Sequence, residues 1–295
     1  MLIAMFAVLL SVAFAGAGAA KEPEQDAVRR WKVEYLRNAK WVGTAEFDSR
    51  KEAQAKLDKA RGDGRSARAG TLNARVVPTD WSRWEHLGKL SAKYESGGRA
   101  SGTVSTGKGD PGGVSYGSYQ LSSKVGTAQR FTDLYYADWF YGTKPGSAEF
   151  TKQWIRLAAE RQSELAAYEH LFIADTHYQP FADRLKNDLG LDLEQHSNAL
   201  RDVAWSVGVQ HGAGNKIFSR ALQPVIDEHR LNELNDKAII ELVYAERGRV
   251  DDFGVSVYFS KSSPQVQKSV LKRFENEKQD ALRELAEESG TKGRR

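Results

Sequence analysis

The feature that most constrains the fold is a long succession of amphipathic helical segments over residues 81–288. Within it, Leu165, Tyr168 and Phe172 recur at the three- and four-residue spacing that places side chains on one face of a helix. One Gly-rich segment, 93–123, interrupts this pattern, and its stretch GGVSYGSYQL has the character of a short β-ribbon. The sequence therefore predicts a mainly α fold with a short β element.

Individual residues mark several helix boundaries. Pro264 occupies the first position of the last helical segment, where proline is favoured. Gly190 follows QPFADRLKNDL, as glycine commonly follows a helix. The stretch DWSRWEHLGKLSAKYE predicts a helix that runs into Glu95.

Four regions follow from the distribution of charge along the chain. Residues 1–20 carry no charged side chain and end in small residues, which predicts a secretory signal peptide; a weakly held, uncleaved membrane anchor is the alternative. Residues 21–70 are charged and predict one or two helices over 24–61, followed by a flexible linker. Residues 71–288 form the main domain, and 289–295 predict a disordered tail.

The composition excludes several classes of protein. The 295 residues include no cysteine, which rules out a disulfide framework, a thiol nucleophile and a cysteine-ligated metal site. The six histidines are scattered and no H-E-x-x-H motif occurs, so we expect neither a metal nor another cofactor. The charges, +4 overall, form no basic stripe, so nucleic acid is not an expected partner. The stretch GKGDPG lacks surrounding β–α units, and the G-x-S-x-G elbow of serine hydrolases is absent.

The Gly-rich segment contains eight glycines and only two acids, Glu95 and Asp110. Each acid alone has an ordinary interpretation, since a glutamate at a helix end is usually solvated and an aspartate in a loop usually forms a turn. However, the segment is rich in hydroxyl groups that suit sugars, and long irregular segments inside compact domains are often functional. Glycosidic cleavage needs two carboxyl groups, one to protonate the leaving oxygen and one to activate water or attack the sugar.

The chain resembles the peptidoglycan-degrading domain at the C-terminus of some type VI secretion spike (VgrG) proteins. The resemblance lies in YESGG, a Gly-rich stretch containing GD, SYGSYQL and the later WSVGVQHGAG, and covers about residues 85–260. That domain is related to the family 46 chitosanases and, more distantly, to lysozymes. The resemblance implies a lysozyme-like, two-lobed helical domain with the short β element at its cleft. It also implies that Glu95 is the general acid and that Asp110 is the general base that activates water.

We also expect a set of substrate-binding residues. In the chitosanases a hydroxyl residue five positions after the aspartate helps to hold the attacking water. This position is Ser115 here rather than threonine, which together with the shorter Glu-to-Asp spacing argues against chitosan as the substrate. The expected substrate-binding residues are Ser115, Tyr116, Ser118, Gln120, Gln210 and His211. For the last two, which lie at a helix end, a capping or solvated role is the alternative.

The sequence therefore predicts a secreted or periplasmic, muramidase-like peptidoglycan hydrolase with two carboxylates and an inverting mechanism. One alternative is a lytic transglycosylase, which pairs a Glu-Ser helix end with a Gly-x-x-Gln such as 117–120 and needs Glu95 alone. Another is a wall-binding module without activity. The expected partners are peptidoglycan glycan strands and an immunity or inhibitor protein. Contact with a membrane is expected only through residues 1–20, if they are not cleaved.

Overall fold

The structure, a computed structural model, describes most of the chain, namely residues 30–37, 40–62, 74–96 and 100–292. Most of these residues lie in helices, which confirms the predicted mainly α fold. The chain divides into two compact units, and each combines segments that are distant in the sequence. Among the described residues, the sheet unit comprises 30–85 and 100–173, and the helical unit comprises 86–96 and 174–292.

The sheet unit begins with a three-stranded antiparallel sheet in the order β2-β1-β3. The strands are β1 (Trp31–Arg37), β2 (Lys40–Phe47) and β3 (Ala74–Pro78). Helix α1 (Arg50–Gly62) lies between β2 and β3 in the sequence. The helix packs against the sheet and buries Ala53 and Leu57. Between β1 and β3, Arg75 forms a buried ion pair with Glu34 at 2.7 Å.

The two strands β1 and β2 correct the prediction of helices over residues 24–61. The helix that ends at Gly62 is confirmed, but the residues of β1 and β2 are extended. In β1, Trp31, Val33 and Tyr35 alternate with charged residues, which is the two-residue period of a strand. This strand pairs with β3, which follows the predicted linker, so both sides of that linker belong to one sheet.

The rest of the sheet unit consists of a short hairpin and two helices. Its elements are β4 (Ser115–Tyr116), β5 (Leu121–Ser122), α3 (Thr127–Tyr135) and α4 (Ala148–Ile173). The β4–β5 pair is antiparallel and is the short β element that the sequence predicts. Trp154 of α4 lies 5.3 Å from the ring of Tyr116 on β4 and 5.6 Å from that of Phe131 on α3. All three rings are buried, so the hairpin and both helices share one core.

The helical unit contains most of the predicted helices. Its first helix, α2 (Lys89–Ser91), continues as a π-helical turn over Ala92–Ser96. The single helix predicted to run into Glu95 is therefore interrupted, because its earlier residues form a turn and, in the sheet unit, a short 3-10 helix, Trp81–Arg83. The later helices are α5 (Gln179–Leu189), α6 (Asn198–His211), α7 (Ile217–Asp227), α8 (Asp236–Arg247) and α9 (Pro264–Lys292). Every side chain of 199–210 on α6 is buried, and α2, α8 and α9 all pack against it.

Several predictions concern residues at or beyond the limits of the described ranges. The predicted signal peptide and most of the predicted linker lie outside them. At the other end, α9 continues to Lys292, so the first four residues of the predicted disordered tail are helical. In this last part of the helix, the Ser289 hydroxyl donates to the Leu285 carbonyl at 2.9 Å. Within the described ranges, no helix is both long enough and apolar enough to cross a membrane.

Candidate active site

Asp110 lies in a tight loop of the sheet unit, between Gly107 and Gly113. Its N–H donates to the Gly107 carbonyl at 3.3 Å, and its own carbonyl accepts from the Gly113 N–H at 3.0 Å. The side-chain Oδ1 accepts a hydrogen bond from the Gly112 N–H at 2.7 Å. The other oxygen, Oδ2, is buried and has no hydrogen-bond partner among the described residues. One oxygen therefore fixes the orientation of the carboxyl group, while the lone pairs of the other meet no donor among the described residues.

The backbone of this loop depends on glycine. Gly107 has a φ of +65°, and a Cβ atom there would lie 2.7 Å from the backbone nitrogen of Val114. At the base of the loop, the Ser115 N–H donates to Ser105 Oγ at 2.8 Å, and the Ser105 N–H donates to the Ser115 carbonyl at 2.9 Å. The Gly-rich composition thus allows the chain to turn tightly around Asp110.

Glu95 lies in the π-helical turn that continues α2, in the helical unit, and its side chain is outside the described part of the structure. The segment around it is fixed at two points. Asp202 of α6 accepts hydrogen bonds from two N–H groups at the start of α2, one of them that of Leu90 at 3.0 Å. Just before Glu95, the hydroxyl of Tyr94 donates to Asp280 of α9 at 2.5 Å. The backbone that carries Glu95 is therefore anchored to α6 and α9.

The predicted site residues divide between the two units. The sheet unit contains Asp110, Ser115, Tyr116, Ser118 and Gln120, whereas the helical unit contains Glu95, Gln210 and His211. In the part of the chain that the structure describes, no group of three or more His, Cys, Asp or Glu residues is arranged to hold a metal ion.

The strand residues Ser115 and Tyr116 are both buried. The hydroxyl of Tyr116 accepts a hydrogen bond from the Gly146 N–H at 2.9 Å and lies 3.0 Å from Thr151 Oγ1. Its ring lies 4.9 Å from that of Phe150, inside the aromatic core. The structure thus gives Tyr116 a packing role, and contacts of Ser115 and Tyr116 with a substrate stay predictions.

The turn between β4 and β5 contains the next two candidates, Ser118 and Gln120. The Ser118 N–H donates to Glu169 Oε1 at 3.0 Å, and the Ser118 hydroxyl lies 3.0 Å from Glu169 Oε2. The Gln120 side-chain amide donates to the Gly117 carbonyl at 2.8 Å, which closes the turn on itself. Both side chains therefore stabilise the turn, and their contacts with a substrate stay predictions.

Gln210 and His211 belong to a buried polar network around Arg247 of α8. The Arg247 guanidinium donates to Gln210 Oε1 at 2.6 Å and to His211 Nε2 at 3.3 Å, and it pairs with Glu277 of α9 at 3.1 Å. Burial lowers the pKa of His211 well below its usual value, and the charge of Arg247 lowers it further. The imidazole is therefore neutral, which lets Nε2 accept the hydrogen bond. These contacts favour a structural role at the end of α6, and substrate contacts of the pair stay predictions.

Two residues that organise the candidate site were not identified from the sequence, Glu169 and Asp202. A signal existed for Glu169, because it lies on the same helical face as Leu165 and Phe172, where a charged residue is unusual. No local signal existed for Asp202, because its partner Leu90 lies 112 positions earlier in the chain.

The chain belongs to the family described as the type VI secretion system spike protein VgrG3-like, C-terminal family, whose model matches residues 87–278. This range includes both Glu95 and Asp110. The chain is also similar to the type VI secretion system spike protein VgrG3 of Vibrio cholerae serotype O1 (strain ATCC 39315 / El Tor Inaba N16961), with 38% identity over 158 residues. The matched region is 53% of this chain but 15% of that relative. These matches confirm the predicted resemblance to the C-terminal domain of the spike proteins.

Proposed function

We propose that this chain is a glycoside hydrolase that cleaves the glycan strands of peptidoglycan, with Glu95 as general acid and Asp110 as general base. The observation that carries the proposal is the Asp110 carboxyl group, whose Oδ1 is fixed by Gly112 while Oδ2 has no partner within the described residues. A general base needs this combination of fixed orientation and one oxygen that can accept a proton. Membership of the spike C-terminal family, over a range that includes both acids, supports the same proposal.

In the proposed reaction, water bound at Asp110 Oδ2 attacks the anomeric carbon and transfers a proton to that oxygen. Glu95 donates its proton to the glycosidic oxygen as the bond to the leaving sugar breaks. Exchange with solvent then returns a proton to Glu95 and removes one from Asp110. Because the water attacks from the face opposite the leaving group, the anomeric configuration is inverted.

The same proposal includes where the protein acts, which polymer it cleaves and which enzyme families it is related to. We infer that it acts on the cell wall as a secreted or periplasmic protein, which the uncharged stretch of residues 1–20 supports. A net charge of +4 suits the acidic stem peptides of peptidoglycan better than cationic chitosan. A relation to the chitosanases and lysozymes, and inhibition by an immunity protein, belong to this proposal as well.

Digestion of purified sacculi tests the proposal, with the released sugars identified by mass spectrometry. We expect reducing-end muropeptides from the unmodified chain and a loss of at least about 100-fold in Glu95→Gln and in Asp110→Asn, because each removes one partner in proton transfer. The matched controls are Glu241→Gln on α8 and Asp133→Asn on α3, two exposed acids whose replacement should leave the rate unchanged. Proton NMR of the first products should show inversion.

Two other outcomes would replace the proposal by an alternative. Anhydro products that persist in Asp110→Asn would identify a lytic transglycosylase, which needs only the acid. Binding to sacculi without any product, in the unmodified chain, would identify a wall-binding module.

A further inference from the structure

The turn between β4 and β5, residues 117–120, is held by two consecutive residues of α4. Glu169 contacts Ser118 through both carboxyl oxygens, each at 3.0 Å. His170 Nδ1 lies 2.9 Å from the hydroxyl of Tyr119. The two central residues of the motif Gly-Ser-Tyr-Gln, Ser118 and Tyr119, therefore both contact α4.

The protonation of His170 follows from its second contact. Its Nε2 lies 3.0 Å from the Trp84 carbonyl oxygen, which can only accept a hydrogen bond. Nε2 therefore carries a proton, and the tautomer that this contact selects leaves Nδ1 as the atom that meets the hydroxyl of Tyr119.

Gly117, the first residue of the turn, leaves the space that Glu169 occupies. A Cβ atom at Gly117 would lie 1.6 Å from Glu169 Oε1 and 3.1 Å from Trp154 Cζ2. Its φ of +76° also favours glycine. Glycine at position 117 therefore leaves the space that the buried carboxyl group of Glu169 needs.

Glu169 is fully buried and forms no ion pair within the described ranges. Burial raises its pKa to about 8, although hydrogen bonds from Ser101 and Ser118 favour the charged form. The groups that face it are the hydroxyls of Ser101, from the segment before β4, and Ser118, from the turn. His170 follows Glu169 on α4 and Tyr119 follows Ser118 on the turn, and these two titratable side chains contact each other. At neutral pH the carboxyl group is therefore mostly protonated.

The turn is connected to the segment that leads into the Asp110 loop. The Gly117 N–H donates to the Thr103 carbonyl at 2.8 Å, and the Ser105 N–H donates to the Ser115 carbonyl at 2.9 Å. Because these bonds lie on both sides of Tyr116, a movement of the turn would displace the base of the loop.

We propose that the neutral form of Glu169 is a positioning residue that holds the turn 117–120, and through it the Asp110 loop, in the active arrangement. Loss of its proton would place a charge without a counter-ion in a dry site, where burial outweighs the hydrogen bonds from Ser101 and Ser118. That cost is relieved when the turn moves away and water enters. The effect on hydrolysis rests on the proposed function, whereas the effect on the turn does not.

The turn can be observed directly by NMR of the full chain labelled with ¹⁵N-serine and ¹⁵N-glycine. Between pH 6 and 10 we expect the Ser118 amide signal to shift with a midpoint near pH 8, and to stay constant in Glu169→Gln. Ser101→Ala removes a hydrogen bond that favours the charged form, so the midpoint should rise by about half to one pH unit. Glu160→Gln, an exposed acid on the same helix, is the matched control and should titrate as the unmodified chain does. A Ser118 signal that does not titrate in the unmodified chain, or that titrates alike in Glu169→Gln, would overturn the inference.

Hydrolysis of sacculi at each pH gives the second measurement. We expect kcat to fall above pH 8 in the unmodified chain and to be retained at pH 9 in Glu169→Gln. A titrating turn in a protein that digests no sacculi would support the positioning role and contradict the proposed function. An active enzyme whose Ser118 signal ignores Glu169 would contradict the positioning role alone.

Discussion

Glu169 couples the stability of the protein to pH. Its pKa of about 8 in the folded state lies above its usual value of 4.5, because burial disfavours the charge. Between these two values the folded state binds more protons than the unfolded state, so the free energy of unfolding falls by about 1.4 kcal/mol per pH unit as the pH rises. The stabilisation is complete below the usual value and is lost as the pH passes through the folded value.

Gly117→Ala should be one of the most destabilising single-methyl additions in the sheet unit. The new Cβ would overlap Glu169 Oε1, and the cost of overpacking should be about 2 kcal/mol beyond the backbone cost. Gly142→Ala isolates the backbone cost, because Gly142 has a nearly identical φ of +75° and an added Cβ would meet no atom of the described residues within 4 Å. Urea unfolding at pH 6, where Glu169 is neutral, measures both variants. Equal urea midpoints for the two variants would show that the turn accommodates a methyl group at position 117 without a cost from overpacking.

At the scale of elements, the helix α2 depends on a cap from another helix. Asp202 accepts from N–H groups at the start of α2, and both are buried with it. Burial raises the pKa of Asp202 to about 7, while the N–H groups of Leu90 and Gly88 favour the charged form. The cap thus serves a short helix that positions Glu95.

Replacement of this cap should affect both stability and hydrolysis. Asp202→Ala leaves two buried donors without an acceptor, so we expect a loss of about 2–4 kcal/mol by urea unfolding and at least about a tenfold fall in sacculus digestion. Asp202→Asn keeps one acceptor oxygen and should be intermediate. Asp192→Ala is the control, because Asp192 is a more exposed cap and should cost about 1 kcal/mol or less without loss of digestion. Full digestion by Asp202→Ala would show that α2 does not need the cap.

The helices could be predicted because their signals are local. The apolar face of α4, the proline that begins α9 and the glycine that follows α5 all lie within the element or beside it. The strands β1 and β2 were missed because a helical spacing of apolar residues and a two-residue alternation were both present there. Pairing decides between them, since β1 pairs with β2 beside it and with β3 across the predicted linker.

The candidate site shows the same division between local and distant contacts. The Asp110 loop could be located because its glycines flank the acid in sequence. The partners of Glu169 and Asp202 could not be assigned, because Ser118 and Leu90 lie 51 and 112 positions away, although the apolar face of α4 signalled that Glu169 is unusual. The packing of Tyr116 into the aromatic core likewise depends on α4, which begins more than thirty residues later.

For the molecule as a whole, the N-terminal strands and α1 should be required for folding of the sheet unit. Arg50 of α1 donates to the Tyr135 carbonyl at 2.8 Å and lies 4.5 Å from the Tyr168 ring, so α1 contacts both α3 and α4. A chain that begins at residue 71 loses these contacts and leaves β3 without its partner strand. We expect its melting temperature to be at least about 10 °C below that of a chain that begins at residue 21. Equal melting temperatures would contradict this expectation and support the predicted domain of residues 71–288 as one that folds by itself.

The anchors of α2 also set the order in which the protein can mature. Tyr94 bonds to a residue 186 positions later, and Lys89 pairs with Glu284, 195 positions later. During synthesis, Glu95 is therefore made long before Asp280 and Glu284, the α9 residues that hold the helix around it. Under the proposed function, a nascent or prematurely terminated chain contains both acids without the supports of one of them. Under that function, the segment that carries Glu95 gains its full support only once α9 has been made.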